Sequence, residues 1–169
     1  MTVVLVLGGA RSGKSRIAQE MAEAEAGPLT FVATAEVFDA EMADRITRHK
    51  VDRGERWTLV EAPIDLPPVL ATEQTQNATT LVDCLTIWLG NLMHYERDID
   101  AAIDDIAAVL QQPRRHPLYI VSNEVGQGIV PDNATARSFR DHAGRLNQRV
   151  AGVAQKVIFV TAGIPQTLK

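Results

Sequence analysis

The sequence predicts an α/β protein built on a mainly parallel β-sheet flanked by helices. Two observations carry this prediction. Short apolar runs rich in β-branched residues alternate with helical patterns along the chain. The first run, Val3 to Leu7, also passes through a glycine-rich turn straight into a helical pattern that begins at Lys14. No internal repeat, low-complexity tract or linker divides the 169 residues, so one compact domain spanning 1–169 is expected, long enough to bury a single core.

In chain order, Val3 to Leu7, Thr79 to Val82 and Leu118 to Val121 read as buried strands, each bounded by turn or polar residues. Leu29 to Ala33, Trp57 to Glu61 and Val157 to Thr161 are weaker runs of the same kind. Helical patterns cover Lys14 to Ala26, Asp39 to Asp52, Asp83 to Met93, Ile99 to Gln111 and Thr135 to Gln155. The Pro67-Pro68 pair limits any helix between Glu61 and Thr79 to a short one starting there. The stretch from His94 to His116 is the most polar. Strands alternating with helices imply right-handed crossovers and a doubly wound sheet.

Composition excludes several function classes. Hydrophobic residues make up 46% and charged residues 22%, the balance of a globular protein. The net charge of −4 supplies no basic field for a nucleic-acid backbone. A lone cysteine, Cys84, rules out an intrachain disulfide and suits a reducing compartment. The opening apolar run has no positive leader and is too short to span a bilayer. A cytoplasmic location without membrane insertion is therefore expected.

The turn between the first strand and the first helix, Gly8-Gly9-Ala10-Arg11-Ser12-Gly13-Lys14-Ser15, matches G-x-x-x-x-G-K-S. Glycines let successive N–H groups curl around phosphate oxygens, and the helix N-terminus adds its positive dipole end. Lys14 would reach the terminal phosphates of a nucleoside triphosphate, and the Ser15 hydroxyl would enter the shell of a Mg²⁺ ion. Asp83, ending the Thr79 to Val82 run, is the candidate second metal ligand. Spacing alone leaves Asp83 equally readable as the N-cap of the following helix.

Four further strings extend this reading: Phe31-Val32-Ala33-Thr34-Ala35, Asp39-x-Glu41-Met42-x-x-Arg45-Ile46-x-x-His49, Trp57-x-x-x-Glu61-Ala62-Pro63 and Ser122-Asn123-Glu124-Val125-Gly126-x-Gly128-Ile129-Val130-Pro131. With the phosphate loop and Asp83-Cys84-Leu85-Thr86, the chain resembles the bifunctional adenosylcobinamide kinase/adenosylcobinamide-phosphate guanylyltransferase family. The strings occur in the expected order, and the match weakens only around residues 93 to 116. The resemblance implies a RecA-like P-loop NTPase fold, a homotrimer, and two reactions of late cobalamin synthesis. Adenosylcobinamide is phosphorylated with ATP or GTP. GMP is then moved from GTP, through a histidine, onto adenosylcobinamide phosphate. His49 matches that histidine. Glu61 is the guanine-facing residue that the family pattern supports. Ala33, Thr34 and Ala35 end a strand with small side chains that let a ligand approach closely, Lys50, Val51, Asp52 and Arg53 directly follow His49, and Asp83 ends its own strand, so these too are expected nucleotide contacts.

The residues can be weighed apart from the family. On a helix, His49 continues the stripe of Met42 and Ile46, which favours a partly buried histidine. Arg45 and Arg53 bracket it, which favours a triphosphate instead. Glu61 alone reads as a solvated carboxylate at a strand end. The Ser122 to Pro131 string reads equally as a substrate loop or as turn chemistry. The helix carrying Arg137, Arg140, Arg145, Asn147, Gln148 and Arg149 is basic enough to suggest phosphate contacts, although solvated helix charges are the commoner explanation. Two tryptophans are candidates for exposed apolar surface. The rival readings are a plain small-molecule kinase and a nucleotide-sensing assembly module.

Overall fold

The computed structural model describes residues 2–36, 54 and 56–169. The predicted Asp39–Asp52 helix, His49 and the Lys50, Val51, Asp52 and Arg53 segment lie outside the described residues.

The described elements follow the expected alternation. They are β1 (Val3–Gly8), α1 (Lys14–Glu23), β2 (Leu29–Ala33), β3 (Trp57–Glu61), α2 (Leu66–Leu70), α3 (Glu73–Gln76), β4 (Thr79–Asp83), α4 (Leu85–His94), α5 (Ile99–Leu110), β5 (Leu118–Asn123), α6 (Ala134–Val153), β6 (Lys156–Thr161) and β7 (Ile164–Thr167). All six predicted strands are present. α1, α5 and α6 end one to three residues sooner than their apolar patterns, whereas α4 begins two residues later than its pattern and ends one residue later. The seventh strand, β7, carries no periodic signal because all four of its residues are exposed.

These strands form one sheet in the order β3-β2-β4-β5-β1-β6-β7. Every pairing is parallel except that of β6 with β7, which is an antiparallel hairpin. Its turn carries Ala162 at φ 51° and Gly163 at φ 80°, two successive left-handed residues, as a tight hairpin requires. Pro165 is tolerated because β7 is an edge strand.

β1 is buried on both faces, so its side chains alternate between two cores. Val3, Leu5 and Leu7 face Leu85, Trp88, Leu89, Ile106 and Leu146 from α4, α5 and α6. Val4 and Val6 face Ala18 and Ala22 of α1. The small residues of α1 let its axis lie close on the sheet, which fixes where its N-terminus points. Both tryptophans depart from the expectation of exposure. Trp88 is 1% exposed and donates from Nε1 to the Ile64 carbonyl at 2.7 Å. Trp57 is half-buried and donates to Glu23 Oε1 at 3.2 Å. Burying an aromatic of that size stabilises by roughly 2–3 kcal/mol, provided its N–H finds a partner.

Candidate active site

The phosphate loop occupies the carboxyl end of β1 and opens onto the N-terminus of α1. Gly13, at φ 92°, is the N-cap of α1, which has no side-chain cap and no acid in its first turn. The first-turn amides are thus left for a ligand, with no carboxylate nearby to repel an anion. Gly8 is required for space: a Cβ there would lie 2.5 Å from Ser12 Oγ and 2.6 Å from the Val160 carbonyl oxygen. Lys14 is 9% exposed and donates from Nζ to the Gly9 carbonyl at 3.1 Å, across the mouth of the loop. The Ser12 hydroxyl is buried and has no partner among the described residues. A phosphate oxygen is the kind of group that would satisfy it. From the far side, the Gly163 amide donates to the Ser12 carbonyl at 2.8 Å, so the β6–β7 turn props the loop.

The candidate carboxylates lie along the same edge. Glu61, Ala33 and Asp83 are in register across β3, β2 and β4. Gly8 is in register with Asn123 on β5, the strand between β4 and β1. With about 4.8 Å between strands, Asp83 stands two strands, roughly 10 Å, from the phosphate loop's strand, and Glu61 roughly 19 Å from it. Asp83 is the last residue of β4, and the N-cap position of α4 is held by Cys84. The capping alternative for Asp83 therefore falls away. Ser15 is exposed in the first turn of α1, Asp83 is half-buried, and Glu61 is exposed.

Thr34 is fully buried, and its hydroxyl is committed to the junction that presents Asp83. It donates to the Cys84 carbonyl and accepts from the Cys84 amide, both at 2.8 Å. The Thr34 carbonyl accepts from Asn91 Nδ2 at 2.8 Å. Burial, reinforced by the Asp83 charge, pushes the Cys84 thiol above its usual range, so Cys84 is a protonated packing residue.

A second polar cluster, which the sequence reading missed, secures the end of β5. Ser122 Oγ donates to Asn147 Oδ1 at 2.7 Å, and Asn147 Nδ2 donates to the Asn123 carbonyl at 3.0 Å. The Asn123 amide donates to Thr86 Oγ1 at 2.7 Å, and the Glu124 amide to the Gly8 carbonyl at 3.0 Å. Asn147 is 6% exposed within the buried stripe Ala143, Leu146 and Val150 of α6. A polar residue inside an apolar stripe was the signal available. Arg145 and Arg149 pair with Asp100 and Asp104 of α5 on an exposed face, as expected of solvated charges. Arg137 and Arg140 instead hold the loop before α6, donating to the Pro131 and Asp132 carbonyls and to the Gly126 carbonyl respectively.

The donors present fit Mg²⁺. Among the described residues no group of three or more His, Cys, Asp or Glu could cage a metal. One hydroxyl and one carboxylate beside a phosphate cradle suit a hard cation that keeps its waters and takes substrate oxygens. No described helix is long and apolar enough to cross a membrane.

Known proteins resemble this chain over nearly its whole length. Residues 4–168 match the family model described as cobinamide kinase / cobinamide phosphate guanyltransferase. The bifunctional adenosylcobalamin biosynthesis protein CobP of Pseudomonas aeruginosa is 39% identical over 168 residues, covering 98% of this chain and 96% of that protein. CobU of Salmonella typhimurium, with the same description, is 38% identical over 183 residues, covering 99% of each. Among solved structures, the flagellar accessory protein FlaH of Methanocaldococcus jannaschii superposes with a TM-score of 0.56 at 12% identity, covering 99% of this chain and 78% of that one. A protein of Pyrococcus horikoshii OT3 does so with a TM-score of 0.59 at 10% identity, covering 99% and 86%. These two likenesses concern the fold alone, an α/β architecture with a mainly parallel sheet.

Proposed function

Because the chain belongs to the cobinamide kinase/cobinamide phosphate guanyltransferase family, we propose an account of how its own residues divide the two reactions. The protein is a bifunctional transferase of adenosylcobalamin biosynthesis. The observation that carries the residue assignment is the open amide cradle of Gly8 to Ser15, on the same sheet edge as Asp83.

In the kinase step the cradle, from Gly8, Gly9, Ala10, Arg11, Ser12 and Gly13 to Lys14 and Ser15, holds the triphosphate of ATP or GTP. The acceptor hydroxyl of adenosylcobinamide attacks the γ-phosphorus. A new O–P bond forms, the bond to the bridging oxygen breaks, and the nucleoside diphosphate leaves. Positioning and charge stabilisation dominate such transfers, and Lys14 supplies the mobile positive charge. Ser15 and Asp83 hold Mg²⁺, which neutralises charge on the phosphate oxygens when bound.

In the guanylyl step His49 attacks the α-phosphorus of GTP and expels pyrophosphate into the same cradle. The resulting N–P bond is then broken by a phosphate oxygen of adenosylcobinamide phosphate, which regenerates the imidazole. Arg45 and Arg53 disfavour the imidazolium and so keep a lone pair available. Glu61 accepts from the guanine N1–H and amine. Ala33, Ala35, Lys50, Val51 and Asp52 line the nucleotide between, while Thr34, expected as a contact, is fully buried and instead holds the Asp83–Cys84 junction from within. The resemblance also supports a homotrimer in the cytoplasm.

Incubation with adenosylcobinamide and GTP, read by mass spectrometry, tests the whole reading through appearance of both the phosphate and the GDP ester. His49→Ala is expected to keep kinase turnover and lose the acid-labile adduct from [α-³²P]GTP. An adduct that survives removes His49 from the mechanism. Lys14→Ala is expected to depress both steps, and loss of only one would separate the two nucleotide sites.

A further inference from the structure

The helix α6 reaches well beyond the sheet. Asn147 is tied to Ser122 and Asn123 at the carboxyl end of β5. At about 1.5 Å per residue, the turns from Ala134 to Asn147 therefore extend roughly 20 Å from that level. The helix α4 is tied to the same end of the sheet. Thr86 bonds the Asn123 amide, while Asn91 bonds the Thr34 and Pro63 carbonyls beyond β2 and β3.

Between α4, the start of α6 and the loop after β5 lies an open groove of about 1030 Å³. Gly90, Met93, Val125, Pro131 and Phe139 line it, with Arg140 at one side. Met93, Val125 and Phe139 also pack on the main core, so the groove floor is anchored. The groove wall is linked to the phosphate loop through one residue. Glu124 precedes Val125, its amide bonds the Gly8 carbonyl, and its Oε1 accepts from the Gly126 amide at 2.6 Å.

We propose that this groove is the acceptor site, seating the apolar face of the corrinoid ring so that its aminopropanol arm reaches past Glu124 to the phosphate loop. The assignment rests on the kinase and guanylyltransferase reading. Three properties select this occupant. The volume is at the upper end for small-molecule sites, as a macrocycle needs. The lining is mostly apolar, yet its Val125 directly follows Glu124, whose amide bonds the phosphate loop's Gly8 carbonyl, so a large ring seated here stands beside the phosphate site. The cation at its side, Arg140, spends one guanidinium nitrogen on the Gly126 carbonyl. Its other donors suit the phosphate that the acceptor carries in the second step but lacks in the first.

The test uses the full chain and adenosylcobinamide itself. A Cβ on Gly90 would meet only the Phe139 ring, at 4.0 Å, so a larger side chain there enters the groove. Gly90→Leu is expected to raise the KM for adenosylcobinamide at least tenfold while GTP affinity and unfolding temperature hold. Phe139→Ala, which removes the platform, is expected to raise it in the same way. Arg140→Gln is expected to raise the KM for adenosylcobinamide phosphate several-fold more than that for adenosylcobinamide. An active wild-type enzyme whose corrinoid KM is untouched by both Gly90→Leu and Phe139→Ala overturns the placement alone. So does a change of oligomeric state in Gly90→Leu, read by sedimentation, with corrinoid KM unaltered, since the groove would then seat a second copy. Wild-type protein that binds GTP but neither binds nor phosphorylates adenosylcobinamide overturns the kinase reading and the placement together.

Discussion

Replacing Asn147 by alanine tests the polar cluster that holds the end of β5 beside the phosphate loop. The substitution removes two hydrogen bonds and leaves two groups without their Asn147 partner: the buried Ser122 Oγ, in a residue 2% exposed, and the part-buried Asn123 carbonyl. Each orphaned buried group costs about 1–3 kcal/mol. Ser122 retains a weak alternative in Thr86 Oγ1 at 3.4 Å, which trims its share. A loss of about 3 kcal/mol is therefore expected, or roughly 6–12 °C in Tm for a chain of this size. Ser122→Ala orphans only Asn147 Oδ1 and should cost about 1–2 kcal/mol. In the double variant Ser122 and Asn147 no longer orphan one another. The combined loss should fall short of the sum by at least about 0.5 kcal/mol. Urea titration of the four proteins measures all of this. A single-variant loss under about 0.5 kcal/mol, or strict additivity, would refute the claim that the pair is coupled and buried.

Two smaller predictions follow from the loop and its neighbour. Gly8→Ala forces a methyl group against the Val160 carbonyl, a backbone atom that cannot step aside, and should cost about 1–3 kcal/mol and abolish nucleotide binding. Gly9→Ala meets nothing within 4 Å and should fold like the wild type, so equal losses from both would discount the steric reasoning. Cys84 keeps its proton in the folded state at a pH where the unfolded thiol ionises. Its contribution to stability is then complete below pH 9.0 and is lost as the pH rises through the higher folded value. The native thiol should also react with a disulfide reagent at pH 8 at least about tenfold more slowly than the urea-unfolded chain. Equal rates would show that it is neither buried nor shifted.

Much of this architecture was legible in local patterns. The runs at Leu29 to Ala33 and Trp57 to Glu61 were weak as periodicities, yet both are strands because flanking turn residues bound them. Pro67 and Pro68 fall in the first turn of α2, where their missing N–H groups cost nothing. The phosphate loop announced itself because every letter of it answers a steric or electrostatic demand. Other features answer demands set only by the folded chain. Nothing near Arg114 marks it for burial, but it is 5% exposed and donates to the Leu70 and Thr75 carbonyls, closing the ends of two short helices. Asn147 and Gly163 matter through partners 24 to 25 residues and about 150 residues away, the latter being Ser12, and register over such distances is not written in any window.

The position of β1 has a consequence for how the protein is made. This strand sits between β5 and β6, and its residues pair with Leu118 and Lys156 onward. At roughly 5–20 residues per second, a ribosome adds the chain from Leu7 to Thr161 in roughly 8–30 s. Until β5 is made the apolar stretch Val3 to Leu7 has neither neighbour, and until β6 follows it has only one. The nascent protein thus depends on holding its most adhesive segment out of contact with other chains, and any nucleotide grip must await the last parallel strand.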